Sequence, residues 1–148
     1  MFTHILVPTD GSELATQAAH RAIELARSLK AAVTVVLASP TDRQLAAEGY
    51  LIPELTADKR EWEEQVTARA RRVLDAVVDE AKRCGVACEA AHVFRDLPYA
   101  AIIDVATKNG CDLIVMGSHG YGGFKQVMLG SETMRVLSHT KIPLLVIR

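Results

Sequence analysis

Short apolar runs alternate along the chain with longer stretches in which apolar residues recur every three or four positions. Ile5-Leu6-Val7 predicts a first strand, closed by Pro8 and the turn-forming pair Asp10-Gly11. Ser12 then stands as an N-cap before Ala15, Ala18, Ala19, Ala22, Ile23, Ala26 and Leu29, the apolar face of a helix. Val33 to Ala38, VTVVLA, is β-branched and nearly continuous, as in a strand buried on both faces. Residues 40–56 carry Pro40, Gly49 and Pro53 among scattered apolar residues and predict a long connection or lid. A helix follows from about Ala57 to Cys84, with Trp62, Val66, Ala70, Val73, Val77 and Ala81 on one stripe and Gly85 at its end. VACEAAHVF, residues 86–94, is a third strand. Pro98 opens a helix that runs to about Asn109 and stops at Gly110. DLIVMG, 112–117, is a fourth strand. After a glycine-rich segment, Ser131 starts a helix ending near His139, and Pro143 precedes a fifth strand, LLVIR.

Strand and helix alternate throughout, which calls for a mostly parallel sheet with right-handed crossovers and helices on both faces. The predicted class is α/β: a three-layer, five-stranded parallel sheet in one domain spanning residues 1–148. A chain of this length buries roughly two thirds of its unfolded surface.

Composition narrows the function without naming it. The net charge of −1 exerts no global pull on nucleic acid or anionic lipid, so any polyanion site must be local. Arg69 and Arg72 on the long helix read as a solvated face rather than a nucleic-acid surface. Cys84, Cys88 and Cys111 are an odd number without metal-binding spacing and read as reduced cytosolic thiols. The first residues, MFTHILVPTD, lack the pattern of a signal peptide, and no apolar run approaches the ~20 residues of a membrane span. The expectation is a soluble cytoplasmic protein.

The chemistry concentrates in GSHGYGGFKQVMLGSET, residues 117–133, which holds five of the nine glycines. Gly117 and Gly120 would let main-chain N–H groups approach an anion closely, because no Cβ intervenes. Gly130 and Ser131 then open a helix whose first N–H groups and dipole favour negative charge. Together they build a phosphate cradle from backbone and hydroxyls without a lysine. No Gly-Lys-Ser/Thr follows four variable residues after a glycine, so this is not a P-loop. A dinucleotide fingerprint would follow the first strand, where only Gly11 is found. A flexible loop leading into an ordinary capped helix is the plainer alternative.

Gly117-x2-Gly120-x9-Gly130-Ser131 resembles the G-2x-G-9x-G-(S/T) signature of the universal stress proteins, in their ATP-binding branch. ILVPTDGS, DLIVMGSHG, LGS and the closing IPLLVIR extend the resemblance over nearly the whole chain. It implies a Rossmann-like, adenine nucleotide alpha hydrolase-like fold, and a homodimer paired through the last strand, Leu144 to Ile147. It implies ATP as ligand, with Mg or Mn. Pro8, Thr9 and Asp10 then resemble the residues that contact adenine and ribose, and Ala38 the position whose backbone holds the adenine edge. Met116 and Gly117 would line the ribose, and Ser118, His119 and Gly120 the phosphates. Gly130, Ser131 and Thr133 resemble the far phosphate contacts. Each has a structural alternative: Asp10 an Asx-turn, Ser131 an N-cap, Met116 core.

Two residues depart from the family pattern. Glu132 stands between the two hydroxyl positions, and Asp96 precedes Pro98 by two residues, where glycine is common. A carboxylate suits a helix start, yet one facing a triphosphate at ~4 Å costs up to about 4 kcal/mol before screening, at an effective dielectric of ~20. Asp96 is expected on the same rim. His119 and Lys125 are the nearest candidates for assisting phosphoryl transfer, but no arginine finger or nucleophile–base arrangement accompanies them. Nucleotide sensing is therefore favoured over dedicated catalysis. A slow metal-dependent ATPase and a dimeric interaction module with an empty pocket are the alternatives.

Overall fold

The computed structural model describes residues 1–41, 43, 47, 59–120 and 129–148, and among these five strands alternate with four helices of defined bounds. In chain order these are β1 (His4–Pro8), α1 (Glu13–Leu29), β2 (Ala32–Ser39), α2 (Lys59–Arg83), β3 (Cys88–Phe94), α3 (Pro98–Lys108), β4 (Leu113–Gly117), α4 (Ser131–His139) and β5 (Leu144–Ile147). Most of the 40–56 connection and the expected helix start at Ala57 lie outside the described residues.

The strands form one parallel sheet in the order β3-β2-β1-β4-β5. The order reverses between β1 and β4, which opens a crevice at their carboxyl ends. Period-two alternation divides the core. Ile5, Val7, Val33, Val35, Leu113 and Val115 pack toward α1 and α2, while Leu6, Val36, Ile114 and Met116 pack toward α3 and α4. Fully burying side chains such as Ile5, Leu6 and Ile114 contributes about 1.5–3 kcal/mol each.

The helices follow their sequence signals closely. Ser12 caps α1 by accepting from Ala15 N at 3.3 Å, and the face of Ala15, Ala18, Ala19, Ala22, Ile23 and Ala26 is buried. These alanines let α1 lie close on the sheet. Lys30 ends the helix in the left-handed region, φ 56°, with its N–H directed to Ala26 O and Arg27 O. In α2 the buried stripe is Ala70, Leu74, Val77 and Ala81. Leu74 therefore joins the predicted stripe, whereas Trp62, Val66 and Val73 are only half-buried. Asp112 falls outside β4. Its carboxylate accepts the N–H groups of Thr3 and His4 and the Thr3 hydroxyl, clipping the entry of β1 to that of β4. No helix among the described residues is long and apolar enough to cross a membrane.

Candidate functional site

β1 ends in Pro8, and the following Thr9 is held by its N–H donating to Val36 O at 2.8 Å. The Thr9 hydroxyl accepts the Gly11 N–H at 3.2 Å, and Asp10 Oδ1 accepts the Ser12 N–H at 2.9 Å. Asp10 thus makes an Asx-turn that fixes the loop and starts α1. Its other carboxylate oxygen, Oδ2, lies against Gly120, so close that a Cβ on that residue would collide with it. The first loop and the glycine-rich segment are therefore in contact across the reversal point of the sheet.

On the other side, Ser118 and His119 turn back against the start of α4. The Gly130 N–H donates to Ser118 O at 2.6 Å, and the buried Thr133 hydroxyl donates to Gly117 O at 3.0 Å and Ser118 O at 3.3 Å. A Cβ on Gly130 would stand 2.9 Å from Ser118 O and 3.0 Å from His119 Cα. Glycine is what permits this approach. Helix geometry leaves the N–H groups of Ser131, Glu132 and Thr133 without intrahelical acceptors, at the positive end of the α4 dipole.

Between these walls lies a cavity of about 510 Å³, within the range of small-molecule sites. Pro8, Thr9, Asp10, Ala38, Met116, Gly117, His119, Gly120, Gly130, Ser131, Glu132 and Thr133 all line it. Ser118, the remaining predicted residue, does not. It is buried, its N–H donates to Ile147 O at 2.8 Å, and its hydroxyl is 3.0 Å from His119 Nδ1. Its work is to pin the loop to β5. Thr133 lines the cavity but spends its hydroxyl on the same loop.

The carboxylates also sit differently from the sequence expectation. Glu132 borders the cavity, but its Oε2 accepts the Tyr99 N–H at 2.9 Å and its Oε1 accepts from Arg135 at 2.9 Å. It supplies the cap that α3 lacks at its own N-terminus, which places it at two helix starts. Asp96 does not reach the cavity. It accepts the Thr41 hydroxyl instead. Arg69, expected on a solvated face, borders the cavity and donates to Asp10 O at 3.4 Å. The cavity also recruits Val36, Pro98 and Ile102, which add apolar lining to it. Lys125 lies outside the described residues. The three cysteines are free thiols away from the cavity; burial pushes Cys88 and Cys111 up to about 11.

The family model described as "Universal stress protein family" matches residues 1–148. The chain is similar to universal stress protein MJ0531 of Methanocaldococcus jannaschii, 35% identical over 153 residues that cover 100% of this chain and 83% of that protein. Among solved structures, MJ0577 of the same organism superposes with a TM-score of 0.79 at 26% identity, covering 99% of this chain and 96% of that one. A universal stress protein in complex with cAMP shares the fold at a TM-score of 0.71 and 23% identity, covering 99% of this chain and 97% of its own. Another from Archaeoglobus fulgidus, in complex with dAMP, does so at 0.69 and 21%, covering 99% and 98%.

Proposed function

The chain belongs to the universal stress protein family, and from that premise we propose that it is a cytoplasmic, homodimeric, ATP-binding module whose nucleotide state governs its contacts with a protein partner. The observation that carries this reading is the apposition of the first loop and the glycine-rich segment across β1 and β4. It encloses a cavity lined by apolar side chains, among them Val36, Ala38 and Ile102, and by the N-terminus of α4. An adenine ring suits the apolar lining and phosphates the helix N-terminus. Relatives of the same fold in complex with cAMP and dAMP support the nucleotide class. Mg or Mn would enter with the triphosphate.

The dimer reading rests on β5, which among the described residues ends the sheet and pairs only with β4. Leu145 on that strand and Met134 and Leu137 on α4 are exposed at 41%, 45% and 50%. Pairing with a second copy by two-fold symmetry covers both the open edge and this apolar surface. Val146→Asp is expected to give a monomer by light scattering; an unchanged dimer would place the interface elsewhere.

Calorimetric titration of nucleotide-stripped protein with ATP and magnesium tests the site, with Gly117→Val/Gly130→Val as the blocked control. Micromolar binding that the control loses supports the reading. A folded wild-type chain that binds no adenine nucleotide overturns it in favour of an interaction module.

A further inference from the structure

One charged side chain reaches the cavity from an element that neither the glycine pattern nor the first loop accounts for. Arg69 lies in the first half of α2, beside the buried Ala70 that anchors this part of the helix against the core. Its Nη2 donates to Asp10 O at 3.4 Å and stands 3.8 Å from where a Cβ on Gly11 would be. Asp10 in turn presses its carboxylate on the Gly120 backbone. The guanidinium therefore stands beside the first loop, where that loop meets Gly120 of the glycine-rich segment.

From this placement we propose that Arg69 is a specificity-determining residue that reads the phosphate portion of a bound nucleotide. The inference deepens the nucleotide reading above and rests on it. A bond of 3.4 Å to a neutral carbonyl is at the weak limit for N–H···O geometry. Phosphate oxygens offer the planar guanidinium a charge-assisted, bidentate alternative. The exchange needs only rotation of an exposed, long side chain, since the helix itself is fixed by Ala70, Leu74 and Val77. α2 thereby adds a cation to a cradle that, among the described residues, offers backbone N–H groups, a hydroxyl and the His119 ring. Arg69 discriminates phosphorylated ligands from the bare nucleoside.

The test is calorimetric titration of the full-length wild type, Arg69→Met and Arg69→Lys with adenosine, AMP and Mg–ATP, at low and high salt. Methionine keeps most of the aliphatic stem, and a thermal melt verifies the fold of each variant. Arg69→Met is expected to weaken ATP about tenfold or more, leave adenosine within about twofold, and flatten the salt dependence of ATP binding. Lysine should fall between, keeping the charge without the fork. ATP affinity unchanged in Arg69→Met, or adenosine and ATP weakened equally, overturns the proposal while leaving the nucleotide site standing. A wild type that binds neither ligand overturns the nucleotide reading and this inference together.

Discussion

Gly130→Ala adds one methyl group where the chain has closed on itself. The new Cβ would stand 2.9 Å from Ser118 O, 3.0 Å from His119 Cα and 3.1 Å from His119 Cβ, against 3.4–4 Å for ordinary contact. Ser118 has no room to retreat. Its N–H is bonded to Ile147 O on β5, and its carbonyl receives both the Gly130 N–H and the Thr133 hydroxyl. The start of α4 must move outward instead, stretching those bonds. Overpacking of this kind costs about 1–3 kcal/mol. Part is offset, because φ −59° and ψ 154° are open to alanine and loss of glycine stiffens the unfolded chain by about 0.4–1 kcal/mol. The net loss is about 1–2 kcal/mol, which in a domain of this size lowers Tm by roughly 2–8 °C. Because the N–H groups of Ser131 and Glu132 move with the helix, ATP affinity should fall about tenfold or more. Thermal melts and ATP titration of wild type and variant measure both quantities. A Tm equal to or above wild type, with affinity intact, would refute the claim that close approach at Gly130 holds the cradle.

Glu132→Ala removes the acceptor for Tyr99 N–H at the start of α3, where no other side chain caps; a loss of about 1 kcal/mol in urea unfolding is expected. Glu132→Gln keeps an acceptor oxygen, so it should lose less and change ATP affinity by less than about threefold; a larger gain would mean the carboxylate faces the phosphates. At Asp112 burial raises the carboxyl, but the bonds from His4 and Thr3 outweigh it and hold it below the ordinary 3.8. A depressed carboxylate contributes stability above its unfolded pKa and loses it as pH falls through the folded value. The deficit of Asp112→Ala, discounted for exposure to under about 1 kcal/mol at pH 7, should therefore shrink below about pH 4; a deficit constant down to pH 2 refutes the assignment. Cys111, buried and raised to about 11, carries thiolate in only about one molecule per thousand at pH 8. It should resist a thiol reagent until denaturant is added, and labelling of the native protein at unfolded rates would contradict this.

Strands and helices were legible because their periods are clean: β-branched runs bounded by proline, and alanine faces repeating every three or four residues. The glycine spacing announced the close approach of Gly130 to Ser118 and His119, because such an approach leaves a mark in residue type. Side-chain direction leaves none. Arg69 reads as one more cation on a charged helix, and only the packing of α2 beside the first loop brings it to the cavity. Glu132 was visible as an acid at a helix start, but the helix it caps is α3, 33 residues away from its own position at Tyr99. Ser118 looked like a phosphate contact from its place in the motif. Its N–H is needed to continue the β4–β5 ladder toward Ile147, and that turns the residue inward. Asp96 escaped the rim because Thr41 offers it a partner beyond the end of β2. Local chemistry is written in sequence; which neighbour a side chain meets across the fold is not.

The cradle and the proposed dimer surface meet on one nine-residue helix. The first turn of α4 borders the cavity, Val136 enters the core, and Met134 and Leu137 remain exposed. A second link runs through the loop, since Ser118 N–H bonds to Ile147 O at the end of β5. Any ligand that draws the start of α4 inward therefore acts on two elements that a partner copy would cover. Linkage makes such coupling reciprocal: if ATP tightens the dimer by some factor, dimerisation tightens ATP by the same factor per coupled site. Sedimentation of the wild type over a dilution series, with and without Mg–ATP, gives the first factor; ATP titration of Val146→Asp monomer against wild-type dimer gives the second. A coupling of about fivefold, near 1 kcal/mol, is the lower end of what such contacts produce. A dimer dissociation constant indifferent to saturating ATP would show that α4 carries the two surfaces independently, and nucleotide state would then have to reach a partner by another face.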